Sequence, residues 1–367
     1  MRVLYRADGG HPLGTGHILR ALRVAACWRE ICPDAQVLLV SHQSQAVREL
    51  VERAALPNIA TQDLPACGLG PMPRLVASDF ADLATGYQPD VIVIDMLDTP
   101  AAEMQVLRGL APTLVTLDDR GAGRLLADLI VNFLVRDPDP SELDPDRTWL
   151  REGPEYASLA PEFVGVLRGR SEPPVARRML VSMGGADAAG LAARVAEDLL
   201  TVDGLEEVDF TVGVAFQDRA TLESIVARAP WEGVIHTAVP SLLPLYRSAD
   251  LAIVAGGITM HEVACCAVPA IAVCQPIDHQ LLVAGWLEDK GCMLNLGYGE
   301  ELPPGEIAAA ARSLIVDQPR RQSMSDSGPR VCDGRGSERT AEAILARADA
   351  PNSQPLTPNS QPLTPNP

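Results

Sequence analysis

The chain has 367 residues, 47% of them hydrophobic, enough to bury a sizeable core and more naturally two domains than one. Aromatic residues make up only 4%, and 48 acidic against 30 basic side chains leave a formal charge of −18. Base stacking asks for clustered rings, and phosphate backbones or anionic lipid ask for positive charge. Neither nucleic-acid binding nor stable membrane association is therefore expected.

The eight cysteines form no Cys-x-x-Cys pair, and no Cys or His spacing suits a zinc site. Most lie in apolar runs, as free core thiols do. The N-terminus MRVLYRADGG reads directly as a strand rather than a signal peptide. No apolar run reaches the roughly 18 residues a membrane span needs. A reducing, cytoplasmic location is the expectation.

Along the chain, short apolar runs alternate with helical stretches. Arg2–Arg6 reads as a strand, followed by a glycine-rich loop and a helix over 18–30. Further strands are expected at 36–40, 91–95, 113–117 and 129–132, with crossover helices at 45–54 and 101–108. Continuous Val, Ile and Leu runs of this kind suit a parallel sheet covered on both faces. Residues 134–178, rich in Pro and charge, read as an inter-domain connection. The alternation then restarts, with strands at 179–182, 208–214, 234–236, 251–254 and 270–274, and helices at 189–200, 220–228, 242–248, 259–266, 279–290 and 304–316. This predicts an α/β protein of two Rossmann-like domains, 1–150 and 151–340, facing a central cleft, with ligands at the carboxyl ends of the strands. The segment Asn352–Pro358 recurs unchanged as Asn359–Pro365. Residues 350–367 therefore read as a disordered, Pro-rich tail.

Four clusters carry chemistry. The first is Arg6-x-Asp8-Gly9-Gly10, then Gly14-x-Gly16-His17-Ile-x-Arg20, lying between a strand and a helix. Glycines let the backbone bend tightly and approach a ligand, and amides opening a helix favour an anion. The third glycine of a dinucleotide-binding fingerprint is missing. His17 stands at the helix start instead, where the helix field favours the neutral imidazole that a general base requires. Asp8 is the carboxylate nearest to it in sequence. The second cluster is Asp118-Asp119, followed by Asp128 and Asn132. Adjacent carboxylates can bind a metal together with substrate phosphates, or build a turn and cap a helix. The third is Gly184-Gly185-x-Asp187, again between strand and helix. The fourth is Gly256-Gly257-Ile-Thr259-x-His261-Glu262, followed by Pro269 and Gln280. Amides beside Gly257 and the Thr259 hydroxyl can hold a diphosphate without a metal. Glu262 is costly to bury without partners and can accept hydrogen bonds from a ribose diol. His261 reads as a structural neighbour.

Together these motifs resemble the UDP-sugar hydrolase of the pseudaminic acid pathway, which acts on UDP-2,4-diacetamido-2,4,6-trideoxy-β-L-altropyranose. The wider group includes spore-coat polysaccharide proteins and is similar in fold to the N-acetylglucosaminyl transferase of peptidoglycan synthesis. The resemblance spans about residues 1–340. It implies a GT-B fold, UDP held by the C-terminal domain, and the sugar facing the N-terminal domain. By motif matching, His17 is the catalytic residue, with Asp8 beside it. Arg6, Gly14, Gly16, Arg20, Asp118, Asp119 and Asn132 would line the substrate. Gly184, Gly185, Gly257, Thr259, Glu262 and Gln280 would lie along the nucleotide.

The expected activity is metal- and cofactor-independent hydrolysis of a UDP-linked acetamido sugar, water being deprotonated by His17. Two rivals stand beside it. One is a GT-B glycosyltransferase that uses a soluble acceptor hydroxyl in place of water. The other is a non-catalytic sugar-nucleotide-binding protein.

Overall fold

The computed structural model describes residues 1–8, 16–42, 44–64, 78–135, 140–144, 146–166, 169–184, 187–213, 216–239 and 241–350. Gly9, Gly10, Gly14, Gly185 and the repeat tail from 351 lie outside these residues. In chain order the first elements are β1 (Arg2–Ala7), α1 (Gly16–Ile31), β2 (Gln36–Ser41), α2 (Gln45–Ala54), β3 (Ile59–Asp63) and α3 (Ser78–Tyr87). They are followed by β4 (Val91–Asp95), α4 (Ala101–Leu107), β5 (Thr113–Leu117), β6 (Leu129–Asn132) and β7 (Trp149–Glu152). The second series runs β8 (Arg178–Ser182), α5 (Leu191–Leu199), β9 (Glu207–Val212), α6 (Arg219–Val226), β10 (Glu232–Thr237), α7 (Leu243–Ser248) and β11 (Leu251–Val254). It ends with α8 (Ile258–Cys265), β12 (Ala270–Cys274), α9 (Asp278–Asp289), β13 (Met293–Tyr298), α10 (Glu306–Val316), α11 (Gln318–Val331) and α12 (Gly336–Asp349).

These elements build two parallel sheets, in the orders β3-β2-β1-β4-β5-β6-β7 and β10-β9-β8-β11-β12-β13. In each sheet the strand order reverses once, between β1 and β4 and between β8 and β11. Such switch points open a crevice at the carboxyl ends of the strands. The central strands β4, β5, β6, β11 and β12 are buried along their whole length. In the first sheet Leu4, Ile92, Ile94 and Leu114 pack with Phe80 of α3 and Met104 of α4. In the second, Val181, Phe210, Ile253 and Ile271 pack with Leu191 and Val195 of α5 and Ile307 and Leu314 of α10.

The chain divides into two compact units, Ala157–Gly336 and the remainder, which joins Met1–Tyr156 to the residues from Ser337 onward. Two expectations are corrected. The stretch 134–178 is not all connection, because it contains β7, which pairs with β6 and completes the first sheet. The second domain does not extend to 340, because α12 returns to the first unit. The reason is a set of specific contacts. The Trp28 indole, fully buried in α1, donates to the Ala341 carbonyl at 3.1 Å. Arg339 donates to the Glu155 carbonyl. Arg347 donates to the Asp128 carbonyl and lies over the Trp149 ring.

The turn after β5 is closed by Asp119. Its fully buried carboxylate accepts from the Thr99 amide (3.0 Å), the Thr99 hydroxyl and the Gly121 amide (2.8 Å). Burial pushes this carboxyl up to about 6 despite those three donors. In the second unit α8 crosses α11 at Gly328, where a Cβ would stand 2.2 Å from the Ala264 carbonyl oxygen.

Two expectations follow for stability. Gly328→Ala should destabilise the protein by about 1–3 kcal/mol, because backbone rather than a flexible side chain blocks the added methyl; a urea midpoint equal to wild type would contradict this. The folded protein binds the Asp119 proton more tightly than the unfolded chain does. This group therefore stabilises the fold below about pH 4, and that contribution is lost as pH rises through about 6. Asp119→Asn, which carries no titrating proton, should gain on wild type by up to about 3 kcal/mol between those limits. Paired thermal melts at pH 4 and pH 7 read the difference directly.

Candidate active site

The first unit gathers a charged cluster at its switch point. Asp95 ends β4, beside β1, and its side chain is fully buried. Such a carboxylate is tolerable only when donors surround it. Four do. Oδ1 meets His17 Nδ1 at 2.5 Å and a guanidinium nitrogen of Arg20. Oδ2 accepts from Arg20 Nε at 2.8 Å and from the Tyr5 hydroxyl at 2.9 Å. Burial alone would raise this carboxyl, but Arg20 and His17 hold it well below the usual carboxylate range. Burial, reinforced by Asp95, keeps the Tyr5 hydroxyl protonated.

His17 and Arg20 lie one turn apart at the start of α1, which puts both side chains on one helix face. Assigning the Nδ1 proton of His17 to the Asp95 contact leaves Nε2 unprotonated, as a base requires. The 3.3 Å approach of Arg20 to Nδ1 then sets donor against donor and is no bond. The imidazole is 18% exposed while its partner carboxylate is sealed, so the ring can be reached from outside while its orientation is fixed from within.

Arg20 also bridges to Asp118 and stacks over the Phe133 ring at 5.2 Å. The other oxygen of Asp118 accepts from the amides of Phe133 (2.8 Å), Leu134 (2.7 Å) and Val135 (3.3 Å). Asp118 thus links the loop after β6 to α1.

The structure therefore brings together His17, Arg20 and Asp118 of the expected residues. Others stand apart. Asp8 pairs with Arg6 at 2.8 Å and accepts from the His42 amide at 3.2 Å; the carboxylate on His17 is Asp95. Asp119 holds the Thr99 turn. Gly16 opens α1 and is exposed. The Asn132 amide is fully buried, and neither polar atom has a hydrogen-bond partner among the described residues. Asp128 accepts from the Leu114 amide and from Arg147. Among the described residues no three His, Cys, Asp or Glu side chains gather as metal ligands.

The second unit has glycine turns on both sides of its switch point, and they differ. After β8 comes Gly184, at φ +89°. Asp187 then accepts from the amides of Leu191 (2.9 Å) and Ala192 (2.8 Å) and from the Gln275 side chain. Two of the amides opening α5 are thereby taken. After β11, Gly257 adopts φ +84°, ψ −148°, a conformation that only glycine takes readily, and no side chain caps α8 behind it. Gln280 steadies this turn, its Oε1 accepting from the amides of Gly256 (3.0 Å) and Gln275 (2.9 Å). Within α8, Met260, His261, Val263, Ala264 and Cys265 are buried, whereas Ile258, Thr259 and Glu262 are half-buried. The Tyr246 hydroxyl donates to Glu262 Oε2 at 2.8 Å.

Asp95, Tyr5 and Tyr246 belong to none of the four sequence clusters. The only local signal for Asp95 is an acidic residue closing an otherwise apolar strand.

No family model matches the chain. It is 25% identical over 341 residues to the spore coat polysaccharide biosynthesis protein SpsG of Bacillus subtilis (strain 168), across 92% of this chain and 95% of that protein. It is 26% identical over 356 residues to the UDP-N-acetylglucosamine–N-acetylmuramyl-(pentapeptide) pyrophosphoryl-undecaprenol N-acetylglucosamine transferase of Salinibacter ruber, across 91% and 94% of the two chains. Among solved structures, MurG of Acinetobacter baumannii superimposes with a TM-score of 0.66 at 17% identity, covering 94% of this chain and all of that one. With its two parallel Rossmann-like sheets, the chain has the GT-B fold of the glycosyltransferases.

Proposed function

We propose that this protein is a glycosyltransferase that moves a sugar from UDP to an acceptor hydroxyl, with His17 as the general base. The observation that carries this reading is the His17–Asp95 pair, an accessible imidazole oriented by a sealed carboxylate at a switch point. The names of its relatives support the substrate class, since one is a UDP-N-acetylglucosamine-dependent transferase and another serves polysaccharide biosynthesis.

In the step proposed, the acceptor hydroxyl gives its proton to His17 Nε2 while its oxygen bonds to the anomeric carbon. The bond from that carbon to the diphosphate breaks, and its electron pair leaves with UDP. A single displacement inverts the anomeric configuration. Asp95 stabilises the imidazolium that forms, and Arg20 and Tyr5 keep Asp95 ionised and in place. In the second unit the open turn at Gly257 and Thr259 supplies amides for the diphosphate charge, and Glu262 accepts from the ribose. The turn at Gly184, whose helix amides Asp187 already occupies, is a weaker candidate for that role.

A second reading rests on the N-terminal segment from Arg6 to Arg20, which resembles that of a UDP-sugar hydrolase. The same base would then deprotonate water, and a UDP-linked diacetamido sugar is the substrate that resemblance points to. Incubation with UDP-sugars alone separates the two. Release of UDP and free sugar at catalytic rates identifies a hydrolase, whereas release that waits for an added acceptor identifies a transferase.

Under either reading His17→Asn should lower kcat by about 10²–10⁴-fold and leave UDP-sugar affinity nearly intact. Asp95→Asn should act in the same direction, since an amide there no longer stabilises the charged ring. A kcat close to wild type in both variants, on protein with an unchanged melting temperature, would remove the assignment. Separately, Glu262→Ala should weaken UDP binding by about 1–3 kcal/mol, measured by calorimetry.

A further inference from the structure

We propose that Tyr246 is a positioning residue for the nucleotide, holding the Glu262 carboxylate in the orientation in which it receives the ribose. The inference rests on the reading that Glu262 accepts from the sugar of UDP, and it adds a residue that neither motif nor resemblance singles out.

Tyr246 lies on α7, a different element from the one that carries Glu262. It is fully buried, and its ring packs against Phe163 with centroids 6.1 Å apart. Its hydroxyl reaches Glu262 Oε2 at 2.8 Å. Burial, then the neighbouring Glu262, pushes that hydroxyl well above its ordinary range, so it stays a donor across the working pH. Glu262 stands one turn beyond Thr259, and the two share the half-buried stripe of a helix that is otherwise buried. A glutamate on such a stripe has three rotatable bonds. Left to itself it would have to freeze them when a ligand arrives, and that ordering weakens binding. A rigid, buried donor on one oxygen freezes them beforehand.

A purely structural tyrosine would affect the fold alone. A positioning tyrosine acts only through Glu262. The test is a double-mutant cycle on the full chain with UDP as the probe, read by calorimetry with melting temperatures alongside. Tyr246→Phe keeps the ring and removes only the oxygen. It should weaken UDP by roughly 3- to 10-fold in the wild-type background and by less than about twofold when Glu262 is already alanine. The preference for UDP over its 2′-deoxy counterpart should shrink in Tyr246→Phe, because a carboxylate that has lost this donor reads the ribose less selectively. An equal loss in both backgrounds, or a UDP affinity unchanged by Tyr246→Phe, would overturn the proposal while leaving the role of Glu262 standing. If Glu262→Ala itself bound UDP as tightly as wild type, both the role of Glu262 and this inference would fall together.

Discussion

A carboxylate with no access to water has to be answered by donors, and in the first unit that requirement organises everything around Asp95. Its two oxygens take four donors from three side chains on two elements: Tyr5 on β1, and His17 and Arg20 on α1, all converging on the end of β4. Arg20 then needs a second anion for the rest of its fork, and Asp118 supplies it. Asp118 in turn draws three amides of the loop after β6 toward the cluster. A chain of charge and hydrogen bond therefore runs across β1, β4, β5 and β6 at their carboxyl ends. Networks of this kind are costly when half satisfied and rigid when complete. Among the side chains that bond in it, the imidazole is the most exposed.

The second unit meets a different demand. A turn proposed to receive a diphosphate has to keep its amides open, so its stiffness must come from somewhere other than a cap. Gln280 provides it from the side by holding two backbone amides at once, while the Tyr246 hydroxyl holds Glu262 one turn into the helix. The neighbouring turn shows the opposite solution, with Asp187 filling the helix start and fixing Gln275 as well. Two turns of similar composition, both strand–glycine–helix, are thus separated by one acidic side chain.

Which parts were legible in the sequence follows from burial. Strands such as β4, β5, β11 and β12 are covered on both faces and read as unbroken apolar runs. Strands β3, β7 and β13 lie at sheet edges, half in solvent, and their mixed sequences carry no such signature. Helix α11 was equally hidden. Its polar sequence includes Pro329, and Arg321 is buried inside it with its guanidinium on the carbonyls of Leu314, Ile315 and Pro173. The glycine turns and His17 stood out because their residue types are unusual where they occur. Asp95 did not. It lies 78 residues from His17, and only the placement of β1 against β4 makes them neighbours. Asp8 is the carboxylate nearest His17 in sequence, yet its oxygens go to Arg6 and the His42 amide.

The return of α12 to the first unit has a consequence for how the protein is made. A ribosome delivers β1 through β7 long before it delivers residues 336–349, with the whole second unit synthesised between them. Until then the Trp28 indole lacks its carbonyl, and Trp149 has only Arg151 of the two guanidinium groups that lie over its ring. The unit encoded first is therefore the unit completed last. The face of α1 that carries Trp28 waits, through the synthesis of the whole middle of the chain, for the carbonyl that its buried indole donates to in the finished fold.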